Sequence, residues 1–230
     1  MFLSFSKKTV LIFIAISVSF FSFGFLLSII SKEQTVASPY NITIVLDAGH
    51  GGLDGGSIGN NGTVEAELNL IYVEKLEKLF KASGIGVIKT RKSLDGLYSS
   101  KNGNFKKEDM QRRKEIIQNS FASAVISIHM NKFSLKSERG CQVFYQSESK
   151  TGKNLAECIK DRLVSKIEYA RELTLGGDYF ICKCDNIPSV IVECGFLSND
   201  EEEKLLCDEN YQDKLCYAIF CGVMSYLTKG

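Results

Sequence analysis

The sequence has almost no net charge and very little histidine. Its 28 lysines and arginines nearly balance 27 aspartates and glutamates, which gives a net charge of +1. A nucleic-acid-binding domain is usually strongly basic, so we expect no nucleic-acid partner. With 44% hydrophobic and 24% charged residues, the chain can form a full core, which argues against disorder. Only two of the 230 residues are histidines, so their positions are informative.

The N-terminal region contains one long apolar segment. Lys7 and Lys8 precede residues 9–30, which carry no charge and are numerous enough for a helix to cross a bilayer. Lysines on the N-terminal side favour a cytoplasmic N-terminus and export of the rest of the chain. We therefore predict a membrane anchor or signal segment over residues 1–30 and a linker over residues 31–41. The protein is then expected at the outer face of the cytoplasmic membrane.

The eight cysteines form no CxxC pair and have no regular spacing. In an exported protein, so many cysteines would normally indicate disulfide bonds. Cys182 and Cys184 are the nearest pair, and one residue apart on a predicted strand they can hardly bond to each other. Cys158, Cys216 and Cys221 follow helical patterns and resemble small hydrophobic residues. The sequence therefore predicts mostly free, buried thiols.

Beyond the linker, strand-like and helix-like segments alternate. Strands are predicted over 42–47, 85–90, 123–130, 141–146, 177–182 and 189–194, and helices over 64–81, 109–119, 152–168 and 209–228. This alternation predicts one α/β domain over residues 42–230, with a mostly parallel, mixed sheet flanked by helices. Residues 91–108 are polar and contain glycine, so we expect an exposed loop there.

Both histidines follow runs of branched apolar residues. His50 lies in "IVLDAGHGG", His129 lies in "AVISIHMN", and a third such run, "SVIVECG", ends near Glu193. In parallel sheets, ligands bind beyond the carboxyl ends of the strands, so we expect these three side chains at one rim. Neutral imidazole is a preferred zinc ligand, and a catalytic zinc needs three protein ligands and one open position. The pattern therefore predicts a zinc site.

The third ligand must supply oxygen or sulfur, because no histidine remains. Glu65 and Glu67 both lie in the first turn of the helix predicted over 64–81. Acidic residues also favour helix N-termini through the helix dipole, so position alone does not distinguish a ligand from a helix-stabilising residue. The residues by themselves leave the choice between the two glutamates open.

The glycine-rich segment "GHGGLDGG" has a competing interpretation as a phosphate-binding turn. However, no Lys-Ser or Lys-Thr pair ends it, and the GxGxxG order is missing. We therefore favour glycines that let the backbone pass close to a metal-bound substrate.

Four segments in order resemble the zinc-dependent N-acetylmuramoyl-L-alanine amidases of the Amidase_3 family. They are "VLDAGHGG", "TVEAELNL", "ISIHMN" and "IPSVIVECGFLSNDEE", and the resemblance covers about residues 42–228. It implies that His50, Glu65 and His129 bind Zn²⁺ and that Glu193 is the catalytic glutamate.

The family motif also bears on the choice between the two glutamates of the first helical turn. Asn69, four residues after Glu65, fits the motif, which favours Glu65 over Glu67. Gln118 and Ser123 depart from the family pattern before the second histidine strand. These departures concern packing rather than the implied ligands.

The resemblance implies hydrolysis of the amide bond between the lactyl group of N-acetylmuramic acid and L-alanine in peptidoglycan. One anchor and one catalytic domain without wall-binding repeats are similar to the spore-cortex amidases of the CwlD type. This implies a role in muramic-δ-lactam formation and a location in the forespore intermembrane space. Because no internal helix could cover the zinc, we expect control from outside, including an exported activating protein that orders residues 91–108 or Glu65.

Two alternatives of other classes stay open at this point. The chain could be a zinc peptidase that cleaves stem-peptide bonds, because the same metal chemistry cleaves any amide. It could also be a non-catalytic wall-binding protein on an amidase fold. Product analysis separates the first alternative from an amidase, and the second predicts a missing ligand or catalytic glutamate.

Overall fold

The computed structural model describes residues 42–99, 103–184 and 187–229, together with Lys8. All described residues from position 42 onward belong to one compact unit. Apart from Lys8, the predicted anchor and linker lie outside the described residues and stay predictions. Among the residues that the structure describes, none of the helices combines the length and apolar character needed to cross a membrane.

Strands and helices alternate along the described part of the chain. In chain order they are β1 (Thr43–Ala48), α1 (Glu65–Ala82), β2 (Gly86–Lys89), α2 (Phe105–Gln118), β3 (Ala124–Asn131), β4 (Gln142–Gln146), α3 (Lys150–Lys166), β5 (Leu175–Gly177), a 3-10 helix (Phe180–Cys182), β6 (Ser189–Phe196), α4 (Asp200–Cys207) and α5 (Glu209–Leu227).

The strands form a single six-stranded sheet in the order β2-β1-β3-β6-β4-β5. Strands β2, β1, β3 and β6 are parallel, whereas β4 runs antiparallel to β6 and pairs with β5 in parallel. The predicted α/β domain with a mostly parallel, mixed sheet is confirmed. The carboxyl ends of β1, β3 and β6 therefore lie side by side at one edge of the sheet.

Both faces of the sheet are covered, as continuous apolar strands require. One face packs against α1, α3 and α5 through strand residues such as Leu46 and Ile126. The other face packs against α2 and the 3-10 helix through residues such as Val45 and Val125. Because side chains alternate along a strand, His129 lies on the same face as Val125, close to α2.

The strand predicted over 177–182 is wrong for most of its length. Strand β5 ends at Gly177, and the backbone N–H of Tyr179 donates to the side chain of Gln146 instead of to a backbone carbonyl of the neighbouring strand. Ile181 and Cys182 are neighbours buried in the same cluster, whereas a strand would send them to opposite faces.

All eight cysteines lie among the described residues. Cys182 lies in the 3-10 helix and Cys184 follows it, so neither is on a strand. None of these eight described cysteines forms a disulfide bond, and six of them are buried. The structure thus agrees with free, mostly buried thiols.

The helix α4 was not predicted from the sequence. Asn199 caps it, and its side chain accepts hydrogen bonds from the backbone N–H groups of Glu201 and Glu202. An asparagine followed by acidic residues is a typical helix N-terminus, so the segment "SNDEEE" carried the signal.

Candidate metal centre

The loop after β1 holds His50 in a left-handed backbone conformation. His50 has φ 60°, and Gly51 and Gly52 that follow also have positive φ, at 137° and 62°. Non-glycine residues with this conformation are uncommon and cluster at functional sites. Gly49 has to be glycine, because a Cβ there would lie 2.2 Å from the ring of His129. The loop thus lets the two imidazoles approach, with ring centroids 5.0 Å apart.

Glu65 lies between the two histidines. Its Oε1 atom is 3.1 Å from His50 Nε2 and 3.0 Å from His129 Nδ1. Potential ligand atoms, one from each of the three residues, all lie within 4.8 Å of one another. Two imidazoles and one carboxylate at this separation form a donor set that suits a catalytic Zn²⁺ with one position left for water.

The Glu65 carboxylate is fixed by backbone donors. Glu65 is 2% exposed, its Oε2 accepts from Ser57 N at 2.7 Å, and its Oε1 accepts from Met130 N at 3.2 Å. Burial alone would raise the pKa of Glu65, but hydrogen bonds with His129 and His50 hold it well below its usual range. The carboxylate is therefore ionised and aimed at the two rings before any cation binds.

The structure brings Glu65, and not Glu67, to the histidines. Glu65 is the first residue of α1, and the side chain of Glu67, two positions later, is exposed. Residues two apart on a helix do not share a face. Asn69 does share the face of Glu65, and its Nδ2 donates to Gly49 O at 3.1 Å. Asn69 thus ties the first turns of α1 to the histidine loop.

Asp54 contacts the other ring nitrogen of His50. The Asp54 Oδ2 atom is 3.0 Å from His50 Nδ1, and Asp54 Oδ1 accepts from Lys106 Nζ at 2.9 Å. A carboxylate in this place fixes the histidine tautomer and leaves Nε2 free to bind a metal. Burial would lower the pKa of His50, but Glu65 and Asp54 raise it to about 9. Sequence reasoning missed Asp54, although its position in "GHGGLD" was a usable signal.

Glu193 lies on β6, directly beside His129 on β3 in the strand register. Its Oε2 atom is buried and has no hydrogen-bond partner among the described residues. Burial raises the pKa of Glu193 to about 7; the His129 ring opposes this shift and the Glu65 carboxylate adds to it. A shielded, unpartnered carboxyl group with a near-neutral pKa has the properties of a general base.

A cleft of about 310 Å³ opens beside His50 and His129. Its wall is largely aromatic and apolar, and includes Tyr98, Phe105, Met110, Tyr179, Phe180 and Ile181. Most of these residues come from α2, the preceding loop and the 3-10 helix. The cleft provides room for a substrate next to the candidate ligands.

The expectation of an exposed loop over residues 91–108 is wrong at both ends. Arg91 is 2% exposed, and residues from Phe105 onward belong to α2. Residues 92–95 between them are exposed, as predicted. Arg91 is buried because its guanidinium contacts backbone carbonyls of the histidine loop, which local polarity does not reveal.

The chain is similar in sequence to known proteins. Residues 44–225 match the family model described as N-acetylmuramoyl-L-alanine amidase. The chain is 32% identical over 191 residues to the germination-specific N-acetylmuramoyl-L-alanine amidase of Bacillus subtilis (strain 168), an alignment covering 81% of this chain and 80% of that protein.

Solved structures are similar as well. The CwlD amidase from Clostridioides difficile, in complex with the GerS lipoprotein, is 40% identical with a TM-score of 0.79, covering 83% of this chain and 100% of that one. An N-acetylmuramoyl-L-alanine amidase from Clostridium difficile 630 is 30% identical with a TM-score of 0.74, and the same shares of the two chains are covered.

Proposed function

The chain belongs to the N-acetylmuramoyl-L-alanine amidase family, and from that membership we propose a zinc-dependent hydrolase of the lactyl–L-alanine amide in peptidoglycan. His50, Glu65 and His129 would hold the zinc through His50 Nε2, Glu65 Oε1 and His129 Nδ1. The strongest support is that one ring nitrogen of each histidine lies within 3.1 Å of the same Glu65 oxygen.

A bound Zn²⁺ would supply Lewis-acid polarisation of the scissile carbonyl and acidification of water. Glu193 would accept the proton of the attacking water at its unpartnered Oε2 atom. The same carboxyl group would then donate a proton to the departing L-alanine amine. Burial raises the pKa of Glu193, which favours a carboxyl group that can both accept and donate a proton. Asp54 would keep His50 in the tautomer that presents Nε2.

The test is a mass-spectrometric analysis of muropeptides after digestion of purified peptidoglycan by the full chain in detergent with zinc. An amidase releases stem peptides with free L-alanine N-termini and leaves muramic acid with a free lactyl carboxyl group. Cleavage inside stem peptides with the lactyl–alanine bond intact would instead identify a zinc peptidase. Binding without any cleavage product would identify a wall-binding protein.

We also propose that the substrate is spore-cortex peptidoglycan and that cleavage precedes muramic-δ-lactam formation. The similarity to a germination-specific amidase and to the CwlD amidase supports this role. Spores of a strain that lacks this protein should contain cortex without muramic-δ-lactam, as measured from digested cortex. A normal lactam content in those spores would contradict the proposal.

We further propose that an exported protein partner raises the zinc occupancy or activity of this chain. We also propose that the protein lies at the outer face of the cytoplasmic membrane. The solved CwlD amidase is in complex with a lipoprotein, which supports a partner of this kind. We expect the full chain alone to show weak zinc retention or slow turnover on purified peptidoglycan. Full zinc occupancy with rapid turnover, unaided, would show that no activator is required.

A further inference from the structure

Arg91 is a buried arginine whose hydrogen bonds with described residues all go to backbone carbonyls. Its Nε donates to Ala48 O at 2.8 Å, and its Nη2 donates to Gly49 O at 3.0 Å and to Ala66 O at 2.7 Å. Its Nη1 donates to Ser93 O at 2.8 Å. In the part of the chain that the structure describes, Arg91 forms no salt bridge, and a buried charge without one is costly unless other contacts compensate.

Three of these carbonyls belong to the segments that carry the proposed metal ligands. Ala48 and Gly49 directly precede His50, and Ala66 directly follows Glu65. One guanidinium group therefore connects the histidine loop to the first turn of α1. A planar fork of five N–H donors can hold several carbonyls at fixed relative positions, which a flexible lysine ammonium cannot do.

A second buried arginine, Arg113, contacts the same loop, but its positive charge is paired directly with carboxylates. It donates to Ala48 O at 2.6 Å and also to His50 O, the carbonyl of the residue with left-handed backbone. Its charge is met by Asp47 at 2.7 Å and by Asp109 at 2.5 Å. Direct ion pairs thus account for the burial of Arg113, whereas Arg91 makes its direct contacts with carbonyls and feels the charges of Asp47 and Asp109 only at longer range.

The positive charge of Arg91 does not explain why this side chain lies beside the proposed metal ligands. Burial and the neighbouring Arg113 lower the pKa of Arg91 to about 10, so the side chain is still protonated at neutral pH. A buried positive charge near the ligands would repel Zn²⁺ and weaken its binding. The benefit to the site must therefore come from the hydrogen bonds.

We propose that Arg91 is a positioning residue that holds His50 and Glu65 at the spacing needed for zinc before any metal binds. This inference rests on the proposed zinc site. It assigns Arg91 no contact with substrate and no proton transfer. The guanidinium acts through the backbone carbonyls on either side of the ligands.

The experiment compares Arg91→Lys, which keeps the charge, and Arg91→Gln, which removes it, with the control Arg112→Lys. Arg112 neighbours Arg113 on α2, its side chain is 52% exposed, and among the described residues its guanidinium forms an ion pair with Glu108, at 3.8 Å. Zinc affinity of each full chain in detergent is measured by competition with a chromogenic chelator. Cobalt absorption spectra report the coordination geometry.

We expect both Arg91 variants to bind zinc about 10- to 100-fold more weakly, as is typical when outer contacts of a metal site are lost. Their cobalt bands should change in intensity or position, whereas Arg112→Lys should match the wild type. If Arg91 acted through charge alone, Arg91→Gln would bind zinc more tightly, which would overturn the inference. A lower melting temperature with unchanged zinc affinity would also overturn it, because it would show a purely structural role.

Failure of the metal site itself gives a different result. If His129→Ala retains zinc as well as the wild type, the site assignment and this inference fail together. Near-UV circular dichroism shows whether the Arg91 variants fold. If neither does, solvent exchange of the Arg91 Nε–H proton, measured by NMR on the zinc-free wild-type chain, tests the inference instead. Slow exchange would support hydrogen bonds of Arg91 that are formed before metal binding. Fast exchange would overturn the inference.

Discussion

Replacement of Glu193 by glutamine is the change that would separate the proposed catalytic step from the proposed metal binding. Glutamine has nearly the shape of glutamate but does not accept a proton at neutral pH. The buried Oε2 atom of Glu193 has no hydrogen-bond partner to lose in the described part of the chain, and His50, Glu65 and His129 are unchanged. We therefore expect Glu193→Gln to fold, to retain zinc and to lose turnover.

Two magnitudes follow for Glu193→Gln. A positioned general base contributes about 10²- to 10⁴-fold to the rate, so turnover should fall by about 10²-fold or more. In the zinc-free chain, burial raises the pKa of Glu193 from 4.5 to about 7. The folded state then holds a proton that the unfolded state releases between pH 4.5 and 7, so the stability of the wild type declines as pH rises through that window. The full shift corresponds to about 3 kcal/mol of unfolding free energy, which glutamine avoids.

The assay combines activity, metal content and stability on the same preparations of the full chain in detergent. Free L-alanine amino groups released from peptidoglycan measure turnover, and atomic emission measures zinc. Thermal unfolding of the zinc-free chain at pH 5 and pH 7.5 measures stability. Glu67→Gln is the matched control, because Glu67 is an exposed glutamate on the helix that carries Glu65. We expect this control to match the wild type in turnover and metal content.

Three results would refute the reasoning on Glu193. Near-normal turnover of Glu193→Gln would mean that another group is the base. Loss of zinc would mean that Glu193 is a ligand. A zinc-free variant less stable than the wild type at pH 7.5 would mean that the carboxylate stabilises the fold.

Three further predictions concern the ligands, the glycine loop and the buried charge beneath it. His129→Ala should lose zinc and activity while its circular dichroism stays that of the wild type; stoichiometric zinc in this variant would contradict the site. Gly49→Ala should weaken zinc binding at least tenfold, because the new Cβ would lie 2.2 Å from the His129 ring, and wild-type affinity would show that the loop adapts. For Asp47, burial opposes ionisation, but Arg113 and hydroxyl donors lower its pKa from 3.8 to about 2. Ionised Asp47 should therefore add about 2 kcal/mol to the free energy of unfolding above pH 4, and this contribution should be lost as pH falls towards 2. Urea unfolding measures it. If Asp47→Asn lost as much stability in acid as the wild type, the prediction would be wrong.

The sequence alone determined the neighbouring strands β1, β3 and β6 and the rim that their carboxyl ends form, because both depend on local patterns. Runs of branched apolar residues before His50, His129 and Glu193 predicted buried parallel strands, and parallel strands place their carboxyl ends at one edge. The structure has these strands as neighbours, with His129 opposite Glu193. The helical stripe over 64–81 predicted α1 nearly to its ends.

Only the tertiary structure decided how individual side chains are turned and held. Residue types left Glu65 and Glu67 equivalent, and family resemblance favoured the first; packing of α1 on the sheet buries Glu65 and exposes Glu67. Arg91 read as part of a polar loop, yet it contacts Gly49 across 42 residues of sequence. Hydrogen bonds of this kind join segments that no short window contains, so their partners exist only once the chain has folded.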